Sequence, residues 1–566
     1  MNRKIVQMFA SYGAFIGGVE HKKLGLYAAR ANKVQHRVLS DLMRVNKDTE
    51  YGRKYGFADI KTVEEYQDRV PLTTYSDYAP YVERMLNGEK KVLTKYHISR
   101  FSESSGSVGR PKVIPLSART LWVLQCFSFS APVGCAAKWF REKGMSMPPQ
   151  RGLLTIEITS HRAPNGKTVS CLSGIPLMYL KPIIKFFATS PEEIMFPKDT
   201  GNMDMHYLKL RFALPDRDVS YLGTMIITVL ETMFEYLENN WEMMCDDIEK
   251  GTINESIACP PDVRASLLKK IKPDPVRAEE LRREFRKGFD TPIVPRIWPA
   301  VGWVYGMGAS SLSVYGDRLK RYTGDLPVHH MGYGASEAYM AVPLELNSDD
   351  NVMLPENGFY EFLPVDAPEG TRPLTIDQLE IGKDYELILT NICGLYRYRI
   401  EDVLRVTGFH GESPVVRFMY RLNQVLNIAG EKTTQKMVDH CAIETAKQFG
   451  FELAGYSVYA DLSTTPGHYV LFIEPKTDVD IAKADEMAKV FDDFLDKANL
   501  FISDAKGTGT LGDTEVKILK SGTYEQYRQS LKANGANLNQ VKPVRVLNSP
   551  EKLAFFSERV LEEEMK

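Results

Sequence analysis

Between Phe101 and Pro115 the chain reads Phe-Ser-Glu-Ser-Ser-Gly-Ser-Val-Gly-Arg-Pro-Lys-Val-Ile-Pro. Three hydroxyls (Ser104, Ser105, Ser107) and two glycines (Gly106, Gly109) fall within six residues. Such a run does not sit inside a helix or a strand, because glycine is used where the backbone must turn and a Cβ would clash. Lys112 follows, and Val113 and Ile114 then begin a strand. Successive N–H groups in a turn form a concave anion site, hydroxyls add donors, and a lysine adds a point charge. The stretch therefore has two readings: a loop that holds a polyphosphate, or a surface turn between two strands.

Two commoner nucleotide loops are excluded. The Walker loop needs four residues between its glycines, then lysine and a hydroxyl. Here two residues separate Gly106 from Gly109, and Pro111 precedes Lys112. The dinucleotide fingerprint occurs at Gly507, Gly509 and Gly512, but a strand-like run from Glu515 to Leu519 follows where a helix should start. Gly306-Met307-Gly308 lacks a third glycine.

Composition narrows the class. The 566 residues are 43% hydrophobic and 25% charged with a formal net charge of −2, so the chain has no basic footprint for coating nucleic acid. Seven scattered cysteines without a Cys-x-x-Cys pair indicate a reduced, cytoplasmic protein with no cysteine zinc site. Of ten histidines only His329 and His330 are adjacent, and none has the His-x-x-x-His spacing of a metal centre. Arg3 and Lys4 precede a mildly apolar run from Met8 to Val19, which Ser11, Tyr12 and three glycines dilute; it reads as an N-terminal helix on the body. No stretch of about 18 uninterrupted apolar residues exists, so no membrane span is expected.

Local periodicity gives the coarse order of elements. Val34, Val38, Leu42 and Val45 recur at helical spacing between basic residues. Turns and caps lead to a helix around Val82 to Leu86 and then to the hydroxyl-glycine loop. An apolar helix is expected over 120–140, strands at 152–158, a long helix over 220–237 with Glu231, Glu235 and Glu238 solvated, and an exposed charged helical face over 269–287. A boundary is expected at 421/422. The remainder alternates helix (433–449), two strands (455–460, 469–474), helix (481–498), strand (515–519) and helix (524–533), a compact α/β unit.

Two further clusters carry chemistry. In Met331-Gly-Tyr-Gly-Ala-Ser-Glu-Ala338 small residues flank Tyr333 and Glu337. Tyr333 can stack a purine, and Glu337, reaching outward, can hold the Mg²⁺ of a triphosphate. The alternative is a tight strand-to-helix turn capped by Glu337. In Gly394-Leu-Tyr-Arg-Tyr-Arg-Ile-Glu-Asp402, Tyr396, Tyr398 and Ile400 alternate with Arg397 and Arg399 as in a strand. Asp402, at the strand's end, can accept both ribose hydroxyls. The alternative is a strand with its charges on an exposed face.

These clusters, in this order and followed by a small α/β unit, resemble the Gretchen Hagen (auxin-responsive) family of acyl acid amido synthetases, within the acyl-adenylate-forming, firefly luciferase-like superfamily. The family pattern Ser-Ser-Gly-Thr/Ser-Ser-x-Gly-x-x-Lys is similar at Ser104, Ser105, Gly106, Ser107, Gly109 and Lys112, with Val108 where a second hydroxyl is usual. Tyr-x-x-Ser-Glu matches at Tyr333, Ser336 and Glu337. Tyr-Arg-x-Gly-Asp matches at Tyr398, Arg399 and Asp402, with Glu401 in place of glycine. The likeness also covers Thr49 to Gly52, Pro80 to Met85, Phe359 to Pro364, Val406 to His410 and the tail from Gly522 to Lys542.

The resemblance implies an α/β architecture: a large N-terminal domain (1–421) of a β-barrel and β-sheets flanked by helices, and a smaller mobile C-terminal cap (422–566). It implies an ATP-dependent ligase in which a small carboxylic acid is adenylated and then transferred to an amine, usually of an amino acid. Ser104, Ser105, Gly106 and Ser107 would contact phosphate, Tyr333, Gly334, Ala335 and Ser336 adenine, Asp402 the ribose, Glu337 Mg²⁺, and Lys432 the phosphate from the second domain. Gly522, Thr523 and Tyr524 resemble a segment near the amine acceptor; Lys112 and Lys542 have no settled role. ATP and Mg²⁺ are the implied cofactors, a small acid and an amino acid the partners, with no nucleic acid or membrane, in a monomer. Transfer to a thiol such as coenzyme A, and a non-catalytic nucleotide-binding homologue, are the alternatives.

Overall fold

The computed structural model describes residues 3–103, 112–198, 203–307, 319–365, 367–368, 370–422, 426, 428, 433–464, 466–507, 511–533, 543–547 and 549–561. The chain divides into two compact units, Met1–Phe418 and Met419–Lys566, close to the 421/422 boundary read from the sequence.

The first unit begins with the helices Arg3–Ala28 and Ala31–Asn46. Val34, Val38 and Leu42 of the second are buried, as their spacing requires, and the basic residues between them face out. The first helix crosses a long apolar helix, Ala118–Glu142, that passes through a π segment at Cys126–Ser130. The crossing is tight at Gly17, where an added Cβ would lie 2.1 Å from the Ser130 carbonyl oxygen. Among the described residues, 118–142 is the one helix long and apolar enough to cross a membrane, and 72% of its most apolar window is buried within the unit.

Three sheets build this unit. Gly152–Leu154, Tyr221–Ile226, Trp303–Met307 and Val328–His329 form a parallel sheet. The helices Ile227–Lys250 and Pro275–Phe285 contribute to a core with Leu153, Leu222 and Val304. The long helix expected over 220–237 is corrected here: its first part is the strand Tyr221–Ile226. An unbroken apolar run has no period to separate a buried parallel strand from a buried helix. Glu231 is also corrected, being buried and not solvated. In the charged 269–287 segment Arg277 turns inward and donates to the carbonyls of Leu214 (2.9 Å) and Ile297 (2.7 Å).

Ile98–Glu103 and Val113–Ser117 pair antiparallel, with Glu103 opposite Val113 at the base of the hydroxyl-glycine segment, and Thr168–Ser170 and Ser160–Arg162 extend that sheet. The third sheet has seven strands in the order Phe359–Pro364, Asp384–Thr390, Tyr398–His410, Ser413–Arg421, Asn351–Met353, Ala338–Val342, Tyr333–Ala335. Its buried face joins Leu42, Tyr51, Tyr66 and Tyr78 in one core.

The second unit follows the expected alternation. Leu453–Asp461 pairs antiparallel with His468–Pro475, and Glu515–Ile518 adds parallel to the latter. The helices Gln435–Gln448 and Ala484–Ala498 cover the sheet. Two helices the periodicity did not reveal, Leu500–Gly507 and Pro550–Ser557, complete it.

Candidate active site

Tyr333–Ala335 and Ala338–Val342 form a hairpin in which Ala335 stands opposite Ala338, so Ser336 and Glu337 are its two-residue turn. The strand-to-helix turn considered from the sequence is therefore a strand-to-strand turn. Gly334 is exposed, and Ala335 and Ser336 are half-buried, which leaves an accessible strip of small residues against which a planar ring can lie. Glu337 is corrected: it does not reach outward but is only 7% exposed. Its Oε1 accepts from Tyr398 Oη at 2.9 Å, and its backbone carbonyl accepts from Asn391 Nδ2 at 3.0 Å.

Asp402 is corrected in the same way. The strand Tyr398–His410 continues past it, and Asp402 lies in an internal bulge. Glu386 pairs with Val403 and Ile388 with Arg399, so three residues, 400–402, oppose one on the neighbouring strand. Glu401 takes φ of +67° at this point, the left-handed region that glycine favours. Side-chain alternation alone does not show such an irregularity. Asp402 is buried, and its Oδ2 accepts from Tyr333 Oη at 2.9 Å. The Tyr333 ring stacks against Phe418, with centroids 6.3 Å apart.

The alternation before the bulge also differs from a strand with an exposed charged face. Arg397, with φ of +49°, is buried; its Nε donates to both oxygens of Glu361 at 3.1 Å, and its Nη1 donates to the carbonyls of Gln67 and Val70 at 2.7 Å. A buried arginine so fully bonded locks the approach of the chain to Tyr398. Arg399 pairs with Glu386 at 2.7 Å.

Lys112, the first described residue after the hydroxyl-glycine segment, joins this group. Its Nζ donates to Tyr398 Oη at 3.4 Å and lies 5.8 Å from the centre of the Tyr75 ring. Tyr75 Oη in turn accepts from the Val113 N–H at 2.8 Å, which fixes the strand that follows. Burial, aided by the Glu337 charge, raises the Tyr75 pKa and keeps its hydroxyl protonated. The structure thus brings together Lys112, Tyr333, Glu337, Tyr398 and Asp402. Ser104, Ser105, Gly106, Ser107, Val108, Lys432 and Lys542 lie outside the described residues.

Gly522, Thr523 and Tyr524 belong to the second unit and have structural partners. The buried Glu474 carboxylate accepts from the N–H groups of Gly522 (2.7 Å) and Tyr524 (2.8 Å), capping the helix Thr523–Ala533. Tyr524 Oη donates to Ser457 Oγ at 2.8 Å.

Among the described residues, no group of three or more His, Cys, Asp or Glu side chains can cage a metal. Glu337 offers a single carboxylate with one oxygen engaged by Tyr398. That donor set suits Mg²⁺, which is commonly held by one or two carboxylates together with substrate phosphates. Sequence reasoning missed the roles of Tyr398 and Asn391. The signal for the first was present: Tyr333 precedes Glu337, and Tyr398 precedes Asp402, at the same spacing.

Residues 20–328 match the GH3 family N-terminal domain, 351–421 its central domain and 437–551 its C-terminal domain. The chain is 29% identical over 561 residues to indole-3-acetic acid-amido synthetase GH3.8 of Oryza sativa subsp. indica, covering 93% of this chain and 90% of that protein. It is 28% identical to jasmonoyl–L-amino acid synthetase GH3.5 of Oryza sativa subsp. japonica, covering 92% of each. The structure of AtGH3.15 acyl acid amido synthetase in complex with 2,4-DB superposes with a TM-score of 0.80 at 26% identity over 96% of both chains. A 2-hydroxyisobutyryl-CoA ligase in complex with R3-HIB-AMP shares the fold, with a TM-score of 0.52 at 11% identity over 92% of this chain and 90% of that one. This chain belongs to the GH3 family and has the fold of adenylate-forming ligases.

Proposed function

We propose that the protein is an ATP-dependent acyl acid amido synthetase. In the first step an oxygen of a small acid's carboxylate attacks the α-phosphorus of ATP, and pyrophosphate leaves. In the second an amine, most simply that of an amino acid, attacks the acyl carbon; AMP departs, and the amine gives up a proton as the amide forms. The observation that carries this reading is the convergence of Glu337, Asp402 and Lys112 through two tyrosine hydroxyls. Adenylyl transfer requires positioning and charge neutralisation more than a protein nucleophile; Lys112 brings positive charge to this group, and the two fixed acids supply acceptors for positioning.

In this reading Asp402 accepts from the ribose hydroxyls, and the Gly334 to Ser336 strip lies along the adenine. Lys112 supplies positive charge beside the phosphates. Glu337 would hold Mg²⁺, which when bound neutralises triphosphate charge. The groups named for the relatives, indole-3-acetic acid in one and a jasmonoyl group with an L-amino acid in the other, set the substrate class to examine. A cytoplasmic setting belongs to the same reading and is supported by seven unpaired cysteines.

The test is pyrophosphate release with ATP, Mg²⁺ and a panel of indolic, aryl and fatty acids, followed by product analysis with amino acids present. Acid-dependent pyrophosphate and AMP with an amide product are expected. A thioester formed only with coenzyme A would reassign the second step, and no release with any acid would remove the ligase reading.

A further inference from the structure

Two segments of the candidate site have the same internal spacing and exchange partners. Tyr333 and Glu337 lie in the hairpin, and Tyr398 and Asp402 lie across the bulge. Each tyrosine bonds the other segment's acid: Tyr333 Oη donates to Asp402, and Tyr398 Oη donates to Glu337, both at 2.9 Å. In the sheet, three strands separate Tyr333–Ala335 from Tyr398–His410. At about 4.8 Å per strand step, a flat sheet would hold them about 19 Å apart, beyond the reach of these side chains. The two bonds exist because the sheet curls until its edge hairpin faces the bulge, and they tie that seam. Asn391 adds a third tie, to the Glu337 carbonyl.

We propose that Tyr333 and Tyr398 are positioning residues forming a reciprocal lock, which couples recognition of the nucleotide sugar at Asp402 to recognition of the metal-bound triphosphate at Glu337. This inference rests on the ATP-dependent reading given above. A carboxylate free to rotate loses much of its value as a ligand, because ordering it must then come from binding energy. Tyr398 removes that freedom from Glu337, and Tyr333 removes it from Asp402. Both bonds cross one seam, so breaking either lets the hairpin and the bulge move apart and loosens the other.

Calorimetric titration of the full chain with ATP in the presence and absence of Mg²⁺, and with AMP, separates the two halves. Tyr→Phe keeps each ring in the core, and a thermal unfolding scan verifies that each variant is folded. Tyr398→Phe is expected to weaken Mg²⁺-dependent ATP binding about tenfold and AMP binding by a smaller factor of about threefold, the second loss reaching Asp402 through the loosened seam, a gradation that a general packing role would not produce. Tyr333→Phe is expected to weaken both ligands. In the double variant the loss should be smaller than the product of the single losses. Amide hydrogen exchange without ligand supplies a second measurement: either single variant should speed exchange in both 333–342 and 398–404.

Wild-type affinities retained in both variants would overturn the positioning roles. Independent, multiplicative losses with exchange confined to the mutated segment would overturn the coupling. Absence of any ATP binding or pyrophosphate release by the wild-type chain would instead remove the underlying function.

Discussion

Glu401 holds a backbone angle, φ of +67°, that an L-residue occupies at a cost of about 1–2 kcal/mol. Glycine would relieve that cost but lose about 0.5–1 kcal/mol through the freer unfolded chain. Glu401→Gly is therefore expected to raise stability by roughly 0.5 kcal/mol, the balance of those two terms, read as a higher urea midpoint. A lower midpoint would show that the Glu401 side chain contributes more than its backbone costs. Glu337→Ala has the opposite sign. Glu337 is buried, and its removal takes an acceptor from the Tyr398 hydroxyl, so the fold should lose about 1–3 kcal/mol as well as activity. An unchanged unfolding midpoint would contradict this. A metal ligand on an open surface would have predicted no stability change, which is why the burial of Glu337 matters.

Among the elements, the helix Gln435–Gln448 carries an unusual buried acid. Arg545 Nε stands 3.4 Å from Asp439 Oδ1, and burial pushes the Asp439 pKa up to about 6 in spite of that arginine and of the Gln435 side chain. The folded state therefore holds its proton more tightly than the unfolded chain does. The stability contribution is whole below the ordinary aspartate range near 4 and is lost as pH rises toward 6. The pH-dependent difference in unfolding free energy between wild type and Asp439→Asn should accordingly change by up to about 3 kcal/mol across pH 4 to 6, with wild type falling relative to the variant. A pH-independent difference would show that Asp439 titrates normally. The element scale also shows where periodicity succeeds. Residues 31–46 alternate at helical spacing and form the helix, whereas Tyr221–Ile226 and Ile227–Lys250 run together as apolar sequence and become strand and helix in turn.

At the scale of the whole molecule the two units have separate cores, the second built from the residues of its own sheet and helices, such as Val438, Tyr456, Leu471, Phe491 and Val516. Residues 422–566 are expected to fold alone, giving a mixed α/β circular dichroism spectrum and a cooperative urea transition, because domain-sized chains with their own core do so. A featureless spectrum would mean that this core depends on the first unit. The order of helices and strands in this second unit was legible because strand alternation and helical spacing are local properties, readable over ten residues.

The sequence by itself determined which residue types gather in three short clusters, that no cysteine or histidine set has metal spacing, and that a small α/β unit ends the chain. Glycine, serine, tyrosine and acid side chains carry their chemistry wherever they stand, so the motifs could be read without a fold. Only the tertiary structure decided that Glu337 is buried, that Asp402 rides a bulge, and that Tyr333 and Tyr398 trade partners across a curled sheet. Those facts depend on sheet curvature and on contacts between residues more than sixty positions apart, which no local pattern encodes.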